Sequence, residues 1–109
     1  MKLTIGIEVR VDERGRVVIP HDFKGVEPGD EFLVSLGEGC LVLTKALGEP
    51  EDQFGLIKRM DDQRRVNPGR IRKVIQLKPR GRAVVVSGGD HLEIWTRNGW
   101  RRHLKHSGP

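Results

Sequence analysis

The stretch that decides the fold is Val11-Asp12-Glu13-Arg14-Gly15-Arg16-Val17-Val18-Ile19-Pro20. It contains a turn, because the Asp12 side chain can accept backbone hydrogen bonds and Gly15 tolerates a positive φ. The strand after the turn is short, since Pro20 has no amide hydrogen to donate to a sheet. Before the turn, residues 4–11 alternate between apolar and polar side chains, as half-buried strands do. The sequence therefore predicts a strand, a tight turn and a second short strand.

The same order of elements returns later in the chain. A turn at residues 27–30 leads into a hairpin whose strands are residues 31–36 and 40–45. The second half is predicted to have a strand at 55–60, a turn at 61–64, a short helix at 69–76, a hairpin with strands at 82–87 and 91–96, and a terminal helix at 98–105. Such repetition at a period of about fifty residues indicates two related structural units.

We predict one domain at 1–109, with half-repeat one at 1–46, a linker at 47–53 and half-repeat two at 54–109. The linker is polar and broken by Gly and Pro. A half of this size buries too little surface to fold alone. We therefore expect the halves to exchange strands into one closed barrel, which would also remove exposed sheet edges.

Charge is distributed unevenly along the chain, whose formal net charge is +5. Residues 1–53 contain 6 Lys or Arg and 11 Asp or Glu, whereas residues 54–109 contain 14 Lys or Arg and 4 Asp or Glu. Such segregation favours one face that binds a polyanion. A generally charged, heat-stable surface is the alternative. It would explain the number of charges but not their separation.

Residues 11–20, with the later Pro28-Gly29-Asp30 and a leucine-rich hairpin, resemble the AbrB/SpoVT swapped-hairpin domain over roughly residues 5–45. The second half resembles the C-terminal repeat of MraZ proteins in Asp61-Asp62-Gln63-Arg64-Arg65-Val66, Gly88-Gly89-Asp90-His91-Leu92-Glu93-Ile94-Trp95 and Trp100. The resemblance implies a mainly β fold with short helices, a pseudo-two-fold swapped-hairpin β-barrel made of two tandem half-repeats. Arg64 stands where this family has glycine, which predicts a differently shaped second turn.

The resemblance also implies DNA binding through the turn and the short helix of each repeat. The candidate DNA-binding residues are the cations around the two turns. Those predicted around the first turn are Arg10, Arg14, Arg16 and Lys24, and those predicted around the second are Lys58, Arg59, Arg64, Arg65, Arg70, Arg72 and Lys73. Most should contact phosphates, while one or two turn arginines and DNA shape supply sequence preference. Asp12, Gly15 and Asp61 should organise the turns. Arg16 and Arg65 could alternatively serve only as salt-bridge partners that lock the turns.

These features predict a sequence-preferring transcriptional regulator that binds double-stranded DNA in the cytoplasm, associated with the nucleoid, with homo-oligomerisation left open. The alternatives are a protein-interaction or assembly module, and an antitoxin-like AbrB module of a toxin-antitoxin pair. We predict no enzyme, catalytic residue or cofactor, because no nucleophile elbow, P-loop or His-Glu-x-x-His motif is present. A lone Cys40 argues against a disulfide or cysteine-rich metal site. No membrane partner is expected, since no apolar run reaches the length of a span.

Overall fold

The structure is a computed structural model that describes residues 6–46 and 56–106. Its strands are β1 (Gly6–Arg10), β2 (Val17–Val18), β3 (Glu31–Leu36), β4 (Leu41–Lys45), β5 (Ile57–Arg59), β6 (Arg65–Val66), β7 (Arg82–Ser87) and β8 (His91–Thr96). A 3-10 helix spans Gly69–Ile75, and an α-helix, α1, spans Arg97–His106. The predicted mainly β class with short helices is therefore confirmed. The predicted linker at 47–53 lies outside the described residues.

Six strands form one antiparallel sheet in the order β1-β7-β8-β4-β3-β5. The two predicted hairpins, β3–β4 and β7–β8, lie in the middle. Each outer strand pairs with a hairpin from the other half of the chain: β1 pairs with β7, and β5 pairs with β3. The prediction of a closed barrel is wrong: among the described residues the sheet is open, with β1 and β5 as its two edges.

The sheet stays open because β2 and β6 are too short to close it. Each has two residues. They pair with each other, with Val17 opposite Val66, and Val17 also forms a single bridge with Val11 across the first turn. Pro20 and Pro68 follow closely and cannot donate to a ladder. The inner face of this ribbon carries the fully buried Val17 and Val66. They pack in one core cluster with sheet residues that include Ile94.

Helix α1 covers part of the opposite face of the sheet. Trp95 of β8 is buried there with Val84 and Cys40, and Trp100 of α1 packs against them. The two indole rings meet edge to face at a centroid distance of 5.6 Å. Burial raises the pKa of the Cys40 thiol to about 11, with the Glu93 carboxylate adding to the effect. Cys40 is therefore a protonated packing residue at neutral pH.

His91 begins β8 between two carboxylates. Its Nδ1 lies 3.0 Å from Asp90 Oδ1, and its Nε2 lies 3.0 Å from Glu93 Oε2. The other Glu93 oxygen accepts a hydrogen bond from the Trp95 indole N–H. The hydrogen bond with Asp90 and then that with Glu93 raise the pKa of His91 above its ordinary value.

This geometry predicts a pH-dependent contribution to stability. A histidine whose pKa rises on folding stabilises the fold below its unfolded pKa, and that contribution is lost as pH rises through the folded value. We therefore expect the difference in unfolding free energy between the wild type and His91→Gln to be largest below about pH 6 and to shrink toward about pH 8. Urea denaturation followed by tryptophan fluorescence measures it. A difference that does not change with pH would contradict the assignment.

Candidate nucleic-acid interface

Asp12 holds the first turn, residues 12–16, with both carboxylate oxygens. Asp12 Oδ1 accepts hydrogen bonds from the backbone N–H groups of Arg14 and Arg16, both at 2.9 Å. Asp12 Oδ2 accepts from Arg16 Nε at 2.6 Å. The Gly15 N–H donates to the Asp12 carbonyl at 3.0 Å, with Gly15 at φ +81°. The backbone path and the direction of the Arg16 side chain are thus fixed together.

The second turn, residues 61–65, repeats this arrangement. Asp61 Oδ1 accepts from the backbone N–H groups of Gln63 and Arg65 at 2.9 and 2.8 Å, and Asp61 Oδ2 accepts from Arg65 Nε at 2.7 Å. Arg64 takes the place of Gly15 and adopts the same left-handed region, at φ +62°. The expectation of a differently shaped second turn is therefore wrong.

Arg64 is the predicted DNA-binding residue whose placement differs most from expectation. It is only 8% exposed. Its guanidinium donates from Nε to the Ile19 carbonyl at 2.8 Å, from Nη2 to the Pro20 carbonyl at 2.9 Å and from Nη1 to the Val26 carbonyl at 3.1 Å. These bonds fix residues 19–26 against the second turn. Arg64 therefore has a structural position and does not belong to an exposed surface.

The outer face of the β2–β6 ribbon carries the two turn arginines with their aspartates. Arg16 and Arg65 are each about one quarter exposed, and Arg16 Nη1 lies 4.0 Å from Asp61 Oδ2. The hydrogen bond from the Arg65 backbone N–H holds the pKa of Asp61 below its ordinary value despite partial desolvation. Burial opposes ionisation of Asp12, but the hydrogen bonds from Arg16 outweigh it and lower its pKa too. Both guanidiniums are thus oriented by charged partners and still reach solvent.

The first turn lies against residues 69–82, which come from the other half of the chain. The Val11 N–H donates to the Gly81 carbonyl at 2.9 Å, and the Arg80 N–H donates to the Asp12 carbonyl at 3.2 Å. The 3-10 helix reaches the turn through Arg72, whose Nε would lie 2.8 Å from a Cβ at Gly15. A side chain at that glycine would have to displace the arginine.

The second turn lies against residues 20–31 in the matching way. The Met60 N–H donates to the Asp30 carbonyl at 2.9 Å, and the Gly29 N–H donates to the Met60 carbonyl at 2.8 Å. In the sheet, Glu31 pairs with Arg59 at this end of the molecule, while Arg82 pairs with Arg10 at the other.

This packing separates the charges of the two ends. Residues 69–82 contain six Lys or Arg and no Asp or Glu, whereas residues 20–31 contain one Lys and four Asp or Glu. We call the first turn with Arg10 and residues 69–82 the basic end, and the second turn with Arg59 and residues 20–31 the acidic end. Each turn contains two acidic and two basic residues, so the neighbouring segment decides the sign.

The predicted cations therefore divide into two groups. At the basic end lie Arg10, Arg14, Arg16, Arg70, Arg72 and Lys73, of which Arg10, Arg14, Arg70 and Lys73 are exposed. Lys24, Arg59, Arg64 and Arg65 belong to the acidic end. Lys58 is half-buried, with Nζ close to Gly69.

Three exposed cations of the basic end were missed by sequence reasoning: Lys78, Arg80 and Arg82. Arg80 also lies 3.6 Å from Glu13 of the first turn. A comparison of the two half-sequences would have identified these three cations. Residues 78–82 read Lys-Pro-Arg-Gly-Arg where residues 27–31 read Glu-Pro-Gly-Asp-Glu, so a segment with three bases corresponds to one with three acids.

Other kinds of site find little support in the described part of the chain. There, no three His, Cys, Asp or Glu side chains are grouped as a metal ion would require. No helix in residues 6–46 and 56–106 is long and apolar enough to cross a membrane. No protein-family model matches the sequence, and a comparison with curated proteins gave no significant match.

The geometry of Arg64 predicts its effect on stability. Arg64→Ala should lower the unfolding free energy by roughly 2–4 kcal/mol, because three carbonyls lose a charged donor. Arg64→Gly should recover about 1 kcal/mol of that loss, since glycine adopts a positive φ without strain. Urea denaturation of both variants measures the order of stability. Arg14→Ala, at an exposed position in the first turn, is the control that should change stability little, and an equally stable Arg64→Ala would contradict the contacts described.

Proposed function

We propose that the protein binds double-stranded DNA through its basic end and acts as a transcriptional regulator. The observation that carries the proposal is the convergence of residues 69–82, which hold six cations and no acid, on a turn with an exposed arginine at its tip. Neutralising several phosphates and releasing their counterions is the main source of non-specific DNA affinity. A cationic surface assembled from two distant segments is suited to that role.

The positions of the arginines suggest different roles within the interface. Arg14 is exposed at the tip of the first turn, where a guanidinium could reach a base edge in a groove. Arg16 is held by Asp12, so less side-chain entropy is lost when it meets a phosphate. Arg80 and Arg82 flank the turn and would neutralise the backbone on either side. We assign sequence preference to Arg14 at the tip, which on a random duplex would contact phosphates instead, and most of the remaining affinity to its surroundings.

We further infer that the halves are swapped-hairpin half-repeats. Residues 11–19 and 60–68 show the same succession of buried, half-buried and exposed positions, and the two turns share their hydrogen bonds. The strand order is also the same from both edges of the sheet. From either edge, an outer strand of one half is followed by the hairpin of the other half. In this proposal the backbone has a pseudo-two-fold axis that the charges do not follow. Each chain would then present one DNA-binding end.

Pairs of matched positions in the two turns test the proposal. Arg14→Ala should weaken binding to a random duplex roughly tenfold and lower the slope of log K against log salt by about 1. Gln63→Ala, at the same position of the second turn, should change neither quantity. Arg10→Ala and Arg59→Ala form a second pair, in which only the first should weaken binding. Fluorescence anisotropy over a salt series measures all four.

These measurements distinguish DNA binding from the assembly alternative, and they also show which end of the protein binds. Equal losses from both members of each pair would show that both ends bind. Absence of binding even at low salt would overturn the DNA proposal and favour the assembly module. If binding is seen, selection of bound sequences from random DNA tests the regulatory part, because a transcriptional regulator should enrich a defined motif.

A further inference from the structure

A cleft of about 290 Å³ lies beside the basic end, between the segment that follows the 3-10 helix and the start of α1. Its polar lining residues are Gln76, Lys78, Arg82, Thr96, Arg97 and Asn98. None of the described residues that line it is acidic. Three cationic side chains, two amides and one hydroxyl therefore surround one space, and they come from two stretches of the chain, residues 76–82 and 96–98.

Glu8 of β1 orients the two guanidiniums of this cleft. Arg97 Nε and Nη2 donate to the two oxygens of Glu8 at 2.6 and 2.9 Å, and Arg82 Nη1 lies 4.0 Å from Glu8 Oε2. One carboxylate thus serves two arginines, and Lys78 adds a further positive charge. The cleft keeps an excess of positive charge after its internal ion pairs are formed, so an anion there would be stabilised.

We propose that this cleft is a binding site for a phosphate group. A planar carboxylate can be satisfied by one guanidinium through two parallel hydrogen bonds. Cations and neutral donors distributed around a cleft instead match an anion whose oxygens point in several directions.

The phosphate could come from two sources. Arg82 and Lys78 belong both to the cleft and to the basic end, so a backbone phosphate of bound DNA could enter it. A free phosphorylated small molecule could occupy it instead. The DNA source rests on the proposed function, whereas binding of a phosphate group does not.

Titration of the full chain with inorganic phosphate tests the site itself. At constant ionic strength, adjusted with chloride, we expect saturable amide chemical-shift changes at residues 76–82 and 96–98. Lys78→Gln should weaken phosphate binding about fivefold or more, as loss of one charge-assisted contact would. The control is Arg102→Gln, which should leave phosphate binding unchanged. Arg102 is an exposed residue of α1 that does not line the cleft. Shifts that do not saturate, or that Lys78→Gln leaves unaltered, would overturn the proposal.

Competition with a short duplex identifies the source of the phosphate. If Lys78→Gln weakens both phosphate and duplex binding, and phosphate competes with the duplex, the cleft binds the DNA backbone. If Lys78→Gln weakens only phosphate binding, the cleft serves a free phosphorylated molecule. If phosphate binds but no duplex does, the phosphate site stands while the proposed DNA function fails.

Discussion

Two backbone hydrogen bonds determine which charged segment lies beside each turn. The Val11 N–H is bonded to the Gly81 carbonyl, and the Met60 N–H is bonded to the Asp30 carbonyl. Each turn is thereby completed by a segment from the other half of the chain. Buried backbone groups must find partners, so these contacts are costly to break. Whatever charge a segment carries is placed beside the opposite turn, and from this the basic and acidic ends follow.

One position in each turn shows how two turns with similar backbones come to differ in exposed charge. Both turns need a residue at positive φ, which Gly15 supplies without a side chain and Arg64 with one. At Gly15 the open space is occupied by Arg72, so a cation from the opposite half lies on the first turn. At the second turn Arg64 directs its own charge inward onto three carbonyls. The first turn thus gains the charge of Arg72, whereas the charge of Arg64 in the second turn is buried.

Local patterns predicted the strands and helices well, because their signals lie within each segment. The two apolar segments on either side of Gly88-Gly89-Asp90 and the apolar spacing after Asn98 gave the second hairpin and the terminal helix close to their observed bounds. Local patterns could not predict whether the sheet closes into a barrel, because closure depends on whether the two-residue strands β2 and β6 can bridge the sheet edges. The site was only partly predictable for a related reason. Cations were assigned to the turn nearest in sequence. That placed Lys24, Arg70, Arg72 and Lys73 at the wrong turn and overlooked Lys78, Arg80 and Arg82.

The unequal ends have a consequence for how a duplex would be approached. A chain with two equal basic turns could meet DNA with either end, and its net charge would not select one. Under the proposed function, the phosphate backbone would attract the basic end and repel the acidic end, which has four carboxylates in residues 20–31. Electrostatic steering would then orient the protein before any base is contacted, as complementary potentials do in other complexes. The difference in charge between the two ends would thus give the approach a direction, although the two turns have the same hydrogen bonds.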